Sequence, residues 1–276
     1  MRVIPKPNIS PIRTFVRCYS SYRPVAKNNF KSIAGFIATK SLDYDQKALS
    51  KSLYIFSIHD HVQGSISKKE MVKLYNDKMV KHPTGRKVYD KLMSLAPLSR
   101  CPFCGVGRVK TLDHYLPETK FPTFSVLPYN LIASCRDCNT GKSTNYATTQ
   151  NTQTLHPYYD DYTHEQWLYA KVLESVPVSI EFYVNPPSNW NQVDKDRVQE
   201  HFNSYELAER FSIEASNTLA DLREEFILYK STPSIIQKEL EKKARVYESR
   251  YKNSFETAMY QALYKSQWYC NGGYSQ

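Results

Sequence analysis

Apolar residues recur along this chain with a period that changes several times, and each change marks a predicted element. Met71, Val72, Leu74, Tyr75, Met79 and Val80 fall at helical spacing behind Ser67 and Glu70, whose separation is that of a capping box. Val88, Tyr89, Leu92, Met93 and Leu95 predict a second, shorter helix that must stop before Pro97. The period then drops to two. Val178, Ile180, Phe182 and Val184 alternate, Trp167 to Leu173 supplies a partner strand, and Pro186 and Pro187 end the resulting β-hairpin. Helical spacing returns with Leu207, Phe211, Ala215, Leu219, Leu222 and Phe226 behind a Ser204 cap. It continues with Ile236, Leu240, Ala244, Tyr247 and Tyr251 behind Thr232 and Pro233, an N-cap and first-turn pair. These stripes are the candidate core.

The pattern predicts an α+β chain, mainly helical around a small central unit. Its divisions are 1–99, a basic arm and helical region; 100–158, the central unit; 159–190, the hairpin; and 191–276, a helical region. At 276 residues the chain is long enough for one large or two small domains with a real core. No apolar run approaches the ~18 residues of a membrane span, so the expectation is no membrane partner and a cytoplasmic protein.

Charge changes the picture more than composition does. Residues 1–100 hold 19 Lys and Arg against 6 Asp and Glu, whereas the remainder holds 18 against 21. No acidic residue precedes Asp43. Such a field attracts phosphate backbones or an acidic protein surface. The first 40 residues contain Pro5, Pro7, Pro11 and Pro24, which would break an amphipathic targeting helix. They are expected to form an extended basic arm on the body of the protein or on a partner. Whether this region tracks nucleic acid or docks a protein is open at this level.

Four of the six cysteines form two CxxC pairs, Cys101–Cys104 and Cys135–Cys138, separated by 30 residues. Two such knuckles are the usual frame of a tetrahedral structural zinc site. Inside the loop they enclose lie Asp113-His114 and Asn130, and Asn139 and Lys142 follow the last cysteine. An acid beside a histidine can place a metal ligand next to a general base. Asn130 and Asn139 add oxygen ligands and hydrogen-bonding groups. Lys142 adds a cation for a phosphate, or is a solvated helix residue. His156, in Leu155-His156-Pro157-Tyr158, is a candidate phosphate or metal contact, or a packed histidine. Gly141-Lys142-Ser143 is not a P-loop, because Arg136 occupies the place of its first glycine. The H-x-E of zinc deaminases is absent as well.

The ordered set C-x-x-C, D-H, N, C-x-x-C-N-x-x-K resembles the HNH endonuclease family in its zinc-knuckle form. The likeness implies a ββα-metal unit, with a strand ending at Asp113-His114, a loop holding Asn130 and a helix carrying Asn139 and Lys142. It implies that His114 deprotonates the attacking water, that Asp113 and Asn139 hold one divalent cation, and that Asn130 pins the loop and orients His114. An oxygen-only pair favours Mg²⁺ or Mn²⁺ there, beside Zn²⁺ held by sulfur. Histidine, with an ordinary pKa near ~6.5, suits the base role.

The flanking Phe121-Pro122, Leu155-His156-Pro157-Tyr158 and Trp268-Tyr269-Cys270-Asn271-Gly272-Gly273 segments are similar to HNH effectors of Septu and retron anti-phage systems. That likeness implies a bacterial toxin effector acting with an ABC-type ATPase, and in retrons beside a reverse transcriptase with its noncoding RNA and DNA. The expected activity is hydrolysis of nucleic-acid phosphodiesters, with DNA favoured. The alternatives are an HNH nuclease on RNA such as tRNA, and a non-catalytic zinc-ribbon adaptor.

Overall fold

A computed structural model describes residues 1–276. The fold is mixed α+β, helix-rich, with three two-stranded antiparallel sheets. The chain forms two compact units, residues 2–160 and residues 161–276. The N-terminal region and the cysteine-bearing segment therefore share one unit, and the hairpin and C-terminal helices share the other.

The first unit begins with nine irregular residues and three helices, α1 (Pro11–Tyr19), α2 (Pro24–Ser32) and α3 (Ala34–Leu49). Here the structure overturns the expectation of an extended arm over the first 40 residues. Pro11 and Pro24 start helices rather than break them: each occupies a first-turn position, where its missing N–H has no intrahelical role. Ser10 caps α1 by accepting from the Arg13 N–H. Phe15, Tyr19 and Phe30 form the seam between α1 and α2, with Tyr22 stacked on Phe30 at 5.3 Å. A small hairpin, β1 (His61–Val62) and β2 (Ile66–Ser67), leads into α4 (Lys68–Lys73). Its predicted capping box is present in full: the Ser67 side chain accepts from the Glu70 N–H, and the Glu70 carboxylate accepts from the Ser67 N–H.

The helix does not continue as predicted. From Leu74 to Val80 it widens into a π-helix before α5 (Pro83–Met93) begins. Leu74 and Met79, five residues apart, are both fully buried, as the wider turn requires. Gly85 lets α5 approach this segment: a Cβ there would lie 2.1 Å from the Lys78 carbonyl oxygen and 2.7 Å from Met79 Cα. Next come β3 (Thr111–His114), β4 (Leu131–Ser134) and α6 (Arg136–Lys142). The strands pair with Asp113 opposite Ile132 and His114 opposite Leu131. Leu112, Leu131 and Ala133 join the helical core of Phe15, Met71, Leu74 and Leu92.

The second unit holds the expected hairpin as β5 (Leu168–Leu173) and β6 (Ser179–Val184). It also holds α7 (Gln192–Ser204), α8 (Leu207–Leu228), α9 (Pro233–Arg250), α10 (Phe255–Lys265) and α11 (Gln267–Cys270). Ser204 closes α7 instead of capping α8, and Glu206, with φ of 52°, separates the two helices. The predicted stripe of α8 is buried as read, from Leu207 to Phe226. Asn253 fastens the hairpin entry: its Oδ1 accepts from the Trp167 and Leu168 N–H groups, and its Nδ2 donates to the Tyr162 and Glu165 carbonyls.

A matched pair of substitutions tests the close helix crossing. Gly85→Ala is expected to cost about 3 kcal/mol, because backbone atoms cannot yield to the new methyl. Gly35→Ala, in α3 with open space around it, should gain about 0.5–1 kcal/mol. Urea denaturation of the two variants reads both signs.

Candidate functional site

The four CxxC cysteines converge. All are buried, and their Sγ atoms lie within 4.8 Å of one another. The Cys104–Cys135 separation of 3.9 Å is far from the ~2.05 Å of a disulfide. It is close to the ~3.8 Å edge of a tetrahedron built with Zn–S bonds of ~2.3 Å. The first knuckle is a tight turn, with the Gly105 N–H donating to the Cys101 carbonyl and the Gly107 N–H to Cys104 Sγ. The second opens α6, where the Cys138 N–H donates to Cys135 Sγ. Gly107 must be glycine, since a Cβ would fall 2.7 Å from Cys135 Sγ. Burial drives the Cys101 thiol upward, while the thiol of Cys101 donating to it drives Cys104 down. Four sulfurs in that state do not all ionise without a cation. The donor set and spacing fit a structural zinc ion, which these four residues would hold.

The cluster joins the turn before β3 to the junction of β4 and α6, so it brackets Asp113 and His114. Strand alternation sends these neighbours to opposite faces. Asp113 faces α6, where Lys142 Nζ lies 3.5 Å from Oδ1 and donates to the His114 carbonyl at 2.5 Å. Lys142 is therefore buried beneath the site, not placed on an open face as a phosphate contact. Its ammonium fixes the backbone at His114. The other Asp113 oxygen, Oδ2, is buried without a hydrogen bond. Burial pushes the Asp113 carboxyl up to about 6, with Lys142 opposing. Asn139, on the same helix, is half-buried, and its N–H is held by the Cys135 carbonyl. A buried carboxylate oxygen lacking any donor is open to a cation or a further hydrogen-bond donor.

His114 lies on the face toward the π-helix. Tyr75 meets its ring edge-on at 4.5 Å. Its Nε2 lies 2.8 Å from the Ser125 carbonyl oxygen. A carbonyl only accepts, so Nε2 carries the hydrogen and Nδ1 keeps its lone pair. Burial pushes the imidazole down to about 4, which holds it neutral. Glu118 Oε2 is buried 3.6 Å from Nε2, and burial pushes that carboxyl up to about 8.

Asn130 ties the loop together with four hydrogen bonds. Its Oδ1 accepts from the Leu116 N–H at 2.7 Å and from the Tyr44 hydroxyl at 3.0 Å. Its Nδ2 donates to the Leu116 and Phe124 carbonyls at 2.9 and 3.2 Å. One partner stands two residues after His114, and the other stands one residue before Ser125. His156 lies behind this pin, 1% exposed, and not on a substrate-facing surface. Its Nδ1 accepts from the Tyr158 N–H, and its Nε2 meets the Tyr44 hydroxyl at 3.3 Å. Tyr44, Tyr75, Ser125 and Glu118 were not visible as site residues in the sequence. Tyr75 read as core stripe, and Tyr44 lies 86 positions from the amide it holds.

Four sulfurs at metal spacing beside a two-stranded hairpin and a short helix define an α+β protein with a candidate structural metal centre. The chain is 36% identical over 228 residues to protein ea31 of Escherichia phage lambda, covering 76% of this chain and 77% of the relative, and it belongs to that protein's family. No protein-family model matches it, and no solved structure matches it. No helix is long and apolar enough to cross a membrane.

Two outcomes test this architecture. Purified protein should carry one zinc per chain by metal analysis, and Cys138→Ser or Gly107→Ala should lower that content and expose the first unit to proteolysis. Asn130→Ala strands several buried groups and should cost about 3 kcal/mol in thermal unfolding while zinc stays bound.

Proposed function

We propose that this chain is a metal-dependent HNH endonuclease of the zinc-knuckle ββα-metal type, hydrolysing nucleic-acid phosphodiester bonds with DNA as the favoured polymer. The observation that carries the reading is the tautomer of His114. Its Nε2–H is committed to a backbone carbonyl, its Nδ1 keeps its lone pair, and the preceding residue, Asp113, carries a donor-free carboxylate oxygen on the other face of the strand. Neutral imidazole is the form a general base needs, and a fixed ring aims its lone pair without reorganisation.

In this reading His114 Nδ1 takes the proton of the water that attacks phosphorus. Asn130 and Ser125 keep the ring in position throughout, and Tyr75 walls off one side of it. Lys142 holds the backbone of His114 and balances the charge of Asp113. A divalent cation held by Asp113 and Asn139 would supply Lewis acidity toward the phosphate oxygens. Zinc at the cysteines would be structural. The resemblance noted in the sequence places such a nuclease as the effector partner of an ABC-type ATPase in anti-phage defence. That context rests on the resemblance alone.

The test is a gel assay with Mg²⁺ on supercoiled plasmid, single-stranded DNA and total tRNA. Wild type should cut DNA, and His114→Ala should lower the rate at least ~100-fold with zinc content and fold retained. Asn139→Ala should raise the Mg²⁺ requirement, with Mn²⁺ restoring part of the rate. Equal cutting by wild type and His114→Ala would overturn the assignment. Cutting of tRNA alone would move the substrate to RNA.

A further inference from the structure

Several cations in the first unit are neutralised locally. Lys6 pairs with Asp45, Lys40 and Lys47 with Asp43, Lys68 with Asp60, Lys81 with Asp77 and Arg86 with Asp90. Five are not. Arg13 and Arg17 on α1, Arg23 at the N-cap of α2, and Lys27 and Lys31 within α2 are all exposed, and none meets a carboxylate. Their charge is presented to solvent uncompensated, on the two helices that replace the expected extended arm.

The arrangement is regular. Arg23, Lys27 and Lys31 follow one another at intervals of four residues, so they lie in one row along α2. At a rise of ~1.5 Å per residue, neighbouring cations stand ~6 Å apart along the axis. That is close to the spacing of successive phosphates along a nucleic-acid strand. The row is also rigidly mounted. Phe30 is buried at 3%, between the rings of Phe15, Tyr19 and Tyr22. Lys78 of the π-helix lies over the Tyr22 ring at 4.4 Å. The same π-helix carries Tyr75, whose ring touches His114. A backbone bound along α2 would thus be linked to the candidate base through Tyr22, Lys78 and the π-helix.

We propose that the outer face of α1 and α2 is a binding track for the phosphate backbone of duplex DNA, with Arg23, Lys27 and Lys31 as its central row and Arg13 and Arg17 beside it. The proposal rests on the nuclease reading above and adds where the duplex outside the cleavage site is held. A phosphate track fits this face better than an acidic protein does. Protein interfaces are anchored above all by Trp, Tyr and Arg; here the rings of Phe15, Tyr19 and Phe30 are turned inward, and the apolar side chains left exposed beside the row are the small Val16 and Val25.

The experiment uses full-length zinc-loaded protein carrying His114→Ala, so that DNA is bound and not cut. Binding to a ~20-base-pair DNA duplex is followed by fluorescence anisotropy over a range of salt. Arg23→Gln/Lys27→Gln/Lys31→Gln in that background is compared with a control, Lys81→Gln/Arg86→Gln, that removes paired cations. The row variant should bind at least ~10-fold more weakly at ~150 mM salt, and the slope of log K against log salt should fall by about 2 to 3. The control should change each by much less. Circular dichroism and zinc content confirm that both variants are folded.

Three results would overturn the track. Unchanged affinity and slope in the row variant, with plasmid cutting by wild type intact, removes the track and leaves the nuclease reading standing. Equal losses in row variant and control reduce the face to bulk charge. Failure of the parent to bind any duplex, together with no cutting by wild type, removes both readings and assigns the cationic face to an acidic protein surface.

Discussion

The convergence of four cysteine sulfurs is the constraint on which the rest of the first unit depends. The sequence between Cys104 and Cys135 is long, largely buried and poor in regular structure, with β3 and β4 as its only strands. Two four-residue strands pair weakly by themselves. What closes the segment is the knuckle turn at one end meeting the β4–α6 junction at the other. Gly107 shows how tight the closure is, because a single methyl there would displace Cys135. With the ends fixed, Asn130 divides the enclosed chain into two lobes and joins them again through Leu116 and Phe124. His114 then has one available ring orientation, set by Ser125.

The support behind Asn130 is polar and fully engaged. With Nδ1 of His156 accepting from the Tyr158 N–H, its Nε2–H can donate to Tyr44, whose hydroxyl donates in turn to Asn130. Each donor in this chain finds an acceptor, which fixes which end of the Asn130 amide is oxygen. The buried amide is thereby held in one state. His156 is not a contact waiting for a ligand; it orients the residue that orients the candidate base.

Much of this was legible in the sequence, because spacing in the chain carries over into contacts. The two CxxC pairs, the capping box at Ser67 and Glu70, the β5–β6 hairpin and the stripe from Leu207 to Phe226 all depend on local periodicity, and all are present. The failures have a common origin as well. Pro11 and Pro24 break a helix only in its interior, and interior is a property of boundaries that composition does not reveal. A seven-residue π-helix buries nearly the same residues as an α-helix of that length, so the stripe from Leu74 to Val80 does not separate them. Lys142 read as a phosphate contact or a solvated helix residue, and His156 as a phosphate or metal contact or a packed histidine, and local spacing does not choose between these. The buried carboxylate and hydroxyl that draw them inward come from Asp113 and Tyr44, 29 and 112 positions away.

The charge of the site bears on the proposed chemistry. Asp113 contributes one negative charge when ionised, and Lys142, buried 3.5 Å away, contributes one positive charge. Asn139 contributes an oxygen and no charge. A divalent cation approaching these groups therefore meets no net attraction from the protein alone, although it meets a carboxylate oxygen with no other donor. A phosphodiester brings the missing negative charge, together with further oxygens. Under the proposed function, metal and substrate would each improve the site for the other, and a neutral His114 would not repel the cation. A buried lysine beside Asp113 would then be no defect of the site. Under that reading it would leave a cation weakly held in the absence of a backbone, beside a loop whose geometry the sulfur cluster and Asn130 fix.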